Sequence, residues 1–434
     1  MLAEQDDLVL VIENADRSGT SGNPPMISPS DSTYDLAIIG GGIVGLATAY
    51  CYLKRRPGSR LVLLEKEGQI AQHQSSHNSG VLHSGIYYPP GGLRAKTCRA
   101  GKALMEDFCQ AEGIAFERCG KVIVATRNEE LGRLQAIEER GRANGIDCRL
   151  IDGSELRAIE PHVAGIQALH VPGTGIVDFA VVCARLARKI KHAGGVIALN
   201  SEVVGLQQQA ERARVQYTGG ELLAGRVVNC GGLYSDHIAR RAGITPETRI
   251  IPFRGEYFSL RLEAAHLVKN LIYPVPDSRF PFLGVHFTRT IHGDIECGPN
   301  AVLAFAREGY SKRDLNPRDL WDTLSYPGFL RMSGKYWKPG AAELWRSMSK
   351  SAFLKSLQRL VPEVRYDDLR AAPAGVRAQA LNFDGTLVDD FIIQTDRRIV
   401  HILNAPSPAA TSALSIGEAI VDQFAQGSTG WALQ

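Results

Sequence analysis

The chain has 434 residues, 44% of them hydrophobic and 22% charged, with a formal net charge of +3. That length accommodates roughly two to three domains with a large core, and the near-neutral balance excludes a globally basic nucleic-acid binder, so an anionic substrate needs a local positive site. The eight cysteines are scattered with no C-x-x-C pair, which argues against zinc clusters and redox dithiols and for reduced thiols.

Residues 1–33 begin MLAEQDDLVLVIENADRSG, acidic where a secretory or mitochondrial leader is basic, and end in the Ser/Pro/Gly-rich run SGNPPMISPSDST. They read as a flexible N-terminal extension, with Met26 an alternative start. No apolar run approaches the ~18 residues of a membrane span. The expected location is the cytoplasm, with peripheral contact at the inner face of the membrane as an option.

The folded part opens with YDLAIIGGGIVGLATAYCYLKRRPGSRLVLLEK. Residues 35–39 predict a buried strand, a helix follows and stops at Pro57-Gly58, and Leu61–Leu64 predict a second buried strand. Between strand and helix, Gly40, Gly42 and Gly45 satisfy G-x-G-x-x-G. Gly40 permits a tight turn, Gly42 admits a pyrophosphate against the backbone, and Gly45 lets helix and strand pack closely. The helix N-terminus offers free N–H groups to the phosphates. Glu65 closes the second strand, placed to bind ribose hydroxyls. An acid there suits FAD or NAD and disfavours the 2′-phosphate of NADP.

Next comes the glycine-rich run NSGVLHSGIYYPP, residues 78–90, too irregular for helix or plain strand. With Ser79 and Gly80 at its start it is a loop suited to run from pyrophosphate towards an isoalloxazine ring. His83 lies within it, and Tyr87 and Tyr88 are pocket walls or packing. Further on, RVVNCGGLYSDHIARRAG predicts a strand returning to the first domain, with Gly231 at its turn and a helix from about Ser235. The C-terminal stretch IVHILNAPSPAATSALSIGEAIVDQF predicts a strand over 399–403, a proline-rich turn, and a helix from about Pro408 to Phe424. Its N-terminal N–H groups would face the cofactor, where a positive helix end stabilises an anionic reduced flavin. An ordinary strand–turn–helix is the alternative.

Taken together, SSHNSGVLHSGIYYPPGGLRAKTC, PFRGEYF, FLGVHFTRTIHGDIECGPNAVLAFAREGY, PAGVRAQA and LNAPSPAATSALSIGEAI resemble the D-amino-acid-oxidase-like superfamily of FAD-dependent oxidoreductases, and within it the branch acting on L-2-hydroxyglutarate. The resemblance spreads over residues 35–424. It implies FAD as cofactor and an α/β fold, with a Rossmann-like FAD-binding domain and a discontinuous substrate domain built on a mixed or antiparallel sheet. The expected boundaries are 34–117, 168–250 and 362–425 for the FAD domain, 118–167 and 251–361 for the substrate domain, and 426–434 for a tail. The implied activity is oxidation of L-2-hydroxyglutarate to 2-oxoglutarate by hydride transfer from C2 to flavin N5. Quinone or oxygen is then the electron acceptor, and the partners are a small dicarboxylate and that acceptor, with no nucleic acid. A second reading is an amine or amino-acid oxidase on the same fold.

Such an oxidation needs a carboxylate clamp, a base for the hydroxyl proton and a flavin site. The resemblance points to Arg377, in PAGVRAQA, as the clamp, since a guanidinium grips a carboxylate through two parallel hydrogen bonds. Arg254 with Tyr257, in PFRGEYF, is a second substrate-binding candidate. His83 and His286 have equal claim as base or substrate ligand, and His83 is an alternative point for a covalent flavin link. Ala405, Pro408, Ala409 and Thr411 join Gly40, Gly42, Gly45, Glu65, Ser79, Gly80 and Gly231 as cofactor-binding residues. Arg94 and Lys96 read as second-rank cations or solvated surface. No metal motif is present. Residues 320–360 interleave Trp321, Trp337 and Trp345 with lysines and arginines. That pattern fits an interfacial membrane patch or, as the favoured expectation, a helical cover with buried aromatics.

Overall fold

The computed structural model describes residues 33–277 and 284–426. The N-terminal extension and the C-terminal tail expected from the sequence lie outside the described residues, apart from Thr33 and Gln426.

Two large sheets organise the chain. The first carries five strands in parallel register: Val196–Ala198, Leu61–Leu64, Thr33–Ile39, Gly220–Asn229 and Ile399–Asn404. The first four residues pairing across its centre, Leu36 to Ile39 against Leu61 to Leu64, are apolar and buried, as strands covered on both faces require. Antiparallel strands extend it beyond Gly220–Asn229: Ala213–Tyr217, followed by Val203–Gln208, pairs with the first half of that strand, and Ile392–Asp396 pairs outside Ile399–Asn404, which joins its second half. The helix Ile43–Arg55 lies on one face with Ile43, Leu46, Ala47, Ala49 and Leu53 inward. The C-terminal helix Ala413–Gln426 crosses it so closely that a Cβ on Gly417 would stand 3.0 Å from the Ala47 backbone.

The second sheet is mixed. Its spine is the long antiparallel pair Thr248–Leu260 and Leu369–Asn382, with a bulge between Gly255 and Tyr257. The strands Ile295–Gly298, His286–Arg289, Leu271–Pro274, Lys121–Ala125, Gln167–Val171 and Arg149–Asp152 continue it, all antiparallel except the parallel pair Leu271–Pro274 and Lys121–Ala125. Side chains alternate between faces. On Lys121–Ala125, Val122 and Val124 enter one core with Phe353 and Leu357 of the helix Lys350–Leu357, while Ile123 and Ala125 enter another with Leu134 and Ile137 of the helix Leu131–Ala143. The sheets divide the chain otherwise than by the expected boundaries. Gln167–Val171 straddles the expected cut at 168, and Leu369–Asn382, expected within the FAD segment, is registered along Thr248–Leu260.

The favoured expectation of buried tryptophans does not hold. Trp321, Trp337 and Trp345 are 73%, 63% and 62% exposed. On the helix Pro327–Met348 it is Phe329 and Met332 that enter the core, with Tyr336 packed beside them, which at helical spacing turns Trp337 and Trp345 outward.

Candidate active site

The carboxyl ends of the parallel strands open onto one cavity of about 1050 Å³, a place where open α/β sheets bind ligands. Gly40 follows the first strand, Glu65 the second, Cys230 and Gly231 the strand Gly220–Asn229, and Ala405 the strand Ile399–Asn404, and all line it. The cavity runs from Glu65, Lys66 and Ser201 past the fingerprint glycines to the opposing face of the second sheet. There Tyr257, Tyr273, His286 and Arg377 close it, with the loop residues His83, Tyr87 and Tyr88 at the side.

The glycines are where their absent side chains matter. Gly40 has φ +107°, and a Cβ on it would lie 2.5 Å from the Cys230 carbonyl oxygen. A Cβ on Gly45 would lie 2.1 Å from the Gly40 carbonyl oxygen, so this residue seats helix on strand and does not line the cavity. Ser75 Oγ accepts the Ile43 N–H at 2.9 Å, which ties the loop after Glu65 to the helix N-terminus. Glu65 accepts the Gly41 N–H at 2.6 Å with one carboxylate oxygen and the Glu67 N–H at 2.9 Å with the other, and each retains a lone pair for a hydroxyl donor.

Ser79 lines the cavity; Gly80 does not, lying against the strand Gly175–Val177 and accepting the Val177 N–H at 2.8 Å. Gly375 brings the second sheet to this loop, since a Cβ there would stand 2.7 Å from the His77 carbonyl oxygen. At the C-terminal end Ala405, Pro408, Ala409 and Thr411 all line the cavity. The helix itself begins at Ala413 and not near Pro408, because residues 405–412 form a turn in which Pro406 and Pro408 supply carbonyl acceptors to Ala409 and Ser412. Thr411 Oγ1 accepts the His83 N–H at 3.1 Å and donates to the Val81 carbonyl at 3.2 Å, binding this turn to the His83 loop.

His83 and His286 both face the cavity's far end. Burial pushes the His83 imidazole down to about 3, with Lys121, His286, Arg94 and Arg377 adding to the depression. Burial likewise takes His286 to about 3, opposed by its bond to the Gly284 carbonyl and reinforced by Arg377 and Lys121. Both rings are therefore neutral at physiological pH, the form that accepts a proton. His286 Nδ1 donates to the Gly284 carbonyl at 3.0 Å, which leaves Nε2 as the acceptor nitrogen, and the ring stacks on Tyr273 at 4.0 Å. His83 Nε2 is 3.3 Å from Ser407 Oγ. Burial pushes the Tyr257 phenol up to about 12, partly offset by Arg377, so it is a neutral donor.

One expected ligand is displaced. Arg254 does not line the cavity: its buried guanidinium bonds Glu256 Oε1 at 3.1 Å and the Ser311 carbonyl at 3.0 Å. Glu256, two residues on at the bulge, captures it. Of the second-rank cations, Arg94 lines the cavity, bonded to the Asp389 and Ser407 carbonyls and placed 4.3 Å from the Tyr88 ring centre, whereas Lys96 is exposed and outside it. Sequence reasoning missed Tyr273, a lining residue on a strand whose register with the His83 loop is a long-range property.

The continuous cavity, the glycine-walled strand ends that open onto it, and Glu65 at the ribose end fit an FAD. A family profile described as FAD dependent oxidoreductase matches residues 35–423. The chain is 49% identical to L-2-hydroxyglutarate dehydrogenase of Indibacter alkaliphilus over 90% of this chain and 98% of that protein. It is 45% identical to the mitochondrial L-2-hydroxyglutarate dehydrogenase of Homo sapiens, over 92% of this chain and 90% of that protein, and to the enzyme of that name from Escherichia coli, over 90% and 93%. Among solved structures, FAD-bound L-alpha-glycerophosphate oxidase from Mycoplasma pneumoniae superposes with a TM-score of 0.74 at 23% identity, over 92% of this chain and 95% of that chain. Glycine oxidase from Geobacillus kaustophilus gives 0.71 at 19%, over 93% and 97%. The chain belongs to the FAD-dependent oxidoreductase family typified by D-amino-acid oxidase, and it is an FAD-dependent enzyme.

Proposed function

We infer that the enzyme oxidises L-2-hydroxyglutarate to 2-oxoglutarate. The observation that carries this reading is the convergence of Arg377, Tyr257 and two neutral imidazoles, His83 and His286, at the end of the cavity away from Glu65. FAD, when bound, supplies the two-electron acceptor for the hydride that leaves C2.

The chain's own residues supply the rest. Arg377 sits opposite Phe253 in the long strand pair and offers its guanidinium to the carboxylate next to the reacting carbon. Tyr257 donates its phenolic hydrogen beside it. The C2 hydroxyl proton goes to an imidazole: His286 Nε2, with the ring fixed by Gly284 and Tyr273, or His83 Nε2, held beside Ser407. The aromatic walls Tyr87, Tyr88 and Tyr273 exclude water from the developing charge. Anaerobic mixing of the holoenzyme with L-2-hydroxyglutarate tests the reading: the oxidised flavin absorbance is lost, and it persists with L-amino acids.

The electron acceptor is a quinone on this reading, reached by peripheral membrane contact. Trp321, Trp337 and Trp345 stand exposed with Leu330 and Met348, and Arg331, Lys335 and Lys338 are interleaved with them. Among the described residues no helix is long and apolar enough to cross a membrane. Aromatic side chains among basic ones suit the headgroup region of an anionic bilayer. Reoxidation of the reduced enzyme by a soluble quinone in preference to oxygen supports this, and the reverse preference replaces it.

A further inference from the structure

The two ends of the cavity carry their charge differently. At the Glu65 end the lining cations have carboxylate partners: Lys66 pairs with Glu67 and Glu308, and Arg241 with Glu202. At the far end the helix Leu131–Ala143 presents Arg133, Ala136, Ile137 and Arg140 to the cavity, positions i, i+3, i+4 and i+7 of one face. Ile137 packs with Ile86 and Tyr273, which fixes that face against the Tyr87 loop. Arg140 Nη1 donates to the Tyr87 carbonyl at 2.8 Å, and the Arg94 guanidinium donates to the Asp389 and Ser407 carbonyls. Carbonyl partners orient a guanidinium without cancelling its charge. Arg133 is held by Asp277 at 3.3 Å, with its side chain 34% exposed.

These arginines stand at an opening. Pro89, Ala136 and Asp389 line the cavity and are exposed to solvent, whereas Tyr273 and His286 further in are buried. At this mouth Arg94, Arg133 and Arg140 are the basic lining residues and Asp389 the acidic one, while Asp390 accepts the Arg94 main-chain N–H at 3.2 Å from outside the lining. We propose that Arg94, Arg133 and Arg140 form an electropositive entrance that draws dianions from solution and passes them inward to Arg377. A cleft lined by one sign of charge raises the local concentration of the opposite ion. A dicarboxylic 2-hydroxy acid carries twice the charge of a monocarboxylic one, so the entrance favours it before any contact with the reacting centre. This deepens the reading above and rests on it for the identity of the substrate.

The size of the effect follows from Coulomb's law in water with salt screening. For a ligand passing about 10 Å from each guanidinium, loss of the Arg133 and Arg140 charges lowers capture of a dianion about sevenfold at about 10 mM salt, and of a monoanion about threefold. At about 0.3 M salt the Debye length is shorter than that approach, and both factors fall below about twofold.

The test measures kcat/KM of the holoenzyme for L-2-hydroxyglutarate and L-2-hydroxybutyrate with an uncharged dye acceptor, from about 10 mM to about 0.3 M sodium chloride. Calorimetric titration with the unreactive dianion glutarate and the monoanion butyrate covers the same range. In the wild type kcat/KM falls with salt more steeply for the dicarboxylate, and glutarate affinity falls more steeply than butyrate affinity. The double variant Arg133→Gln, Arg140→Gln loses about sevenfold in kcat/KM for L-2-hydroxyglutarate at the low-salt end and little at the high-salt end, the loss falling on KM. Arg133→Lys with Arg140→Lys keeps the wild-type salt dependence, because it keeps the charge. Equal salt dependence for dianion and monoanion in the wild type overturns the proposal even if no variant folds. A loss in the glutamine variant that is the same at every salt concentration overturns it too, since that marks a structural role. Absence of any turnover of L-2-hydroxyglutarate instead overturns the substrate reading, and the salt dependence of glutarate against butyrate binding continues to decide the role of the entrance.

Discussion

Replacing Arg377 by alanine removes the guanidinium that closes the cavity beside His83, His286 and Tyr257. Its charge depresses both imidazoles and the Tyr257 phenol, so it acts on the same small volume as the proposed base and donor. For a carboxylate held at about 4 Å in a partly buried setting, an effective dielectric near 20 gives about 4 kcal/mol of attraction. Water entering the vacated space returns a part of this, which leaves a loss of about 3 kcal/mol, or about 10²-fold, in kcat/KM. Arg377→Lys keeps the charge without the fork and falls between. The assay is steady-state turnover of L-2-hydroxyglutarate with a dye acceptor, with flavin content measured on the same preparation. Arg377 lies at the far end of the cavity from Glu65, so bound FAD stays at the wild-type level. Normal kinetics in Arg377→Ala refutes the clamp, and loss of FAD together with activity refutes the separation of the two ends.

Other outcomes follow from the same geometry. In Gly45→Ala the gain in helix propensity, about 1 kcal/mol, is outweighed by a Cβ 2.1 Å from the Gly40 carbonyl oxygen, so thermal denaturation shows a lower Tm and absorbance shows less bound flavin. Because the folded His83 and His286 are held well below the ordinary value of about 6.5, the unfolded chain binds more protons between pH 6.5 and 3. Their contribution to stability is therefore full above pH 6.5 and is lost as pH falls towards 3, visible as a falling Tm over that window. His286→Asn and His83→Asn should differ sharply in kcat: the base variant loses about 10²- to 10⁴-fold, and the other loses mainly in KM. Changing Trp337 and Trp345 to serine reduces co-sedimentation with anionic vesicles and leaves soluble dye-linked turnover intact.

Much of the cofactor end was readable because it depends on neighbours in sequence. Gly40, Gly42, Gly45 and Glu65 lie within one strand–helix–strand unit, and turn, helix and strand each impose their own residue types there. Arg377, His286 and Tyr257 were placed through blocks that resemble a family, and the cavity gathers them from strands far apart in the chain. Arg254 failed because its fate depends on Glu256, a partner two residues away that sits at the bulge of the same strand. Tyr273 was invisible for the opposite reason: it sits in a short apolar strand, and only the long-range register of the sheet makes it cavity wall. The tryptophans were misread because composition does not say which helical stripe enters the core, and Phe329 and Met332 occupy it instead.

The central claim, that this flavoenzyme takes a hydride from C2 of L-2-hydroxyglutarate, is tested most directly by single-turnover anaerobic reduction. Mixed with L-2-hydroxyglutarate deuterated at C2, the holoenzyme loses its oxidised-flavin absorbance several-fold more slowly than with the protiated acid, and one equivalent of 2-oxoglutarate forms per flavin. Flavin that stays oxidised with this acid, while an amino acid reduces it, would contradict the account.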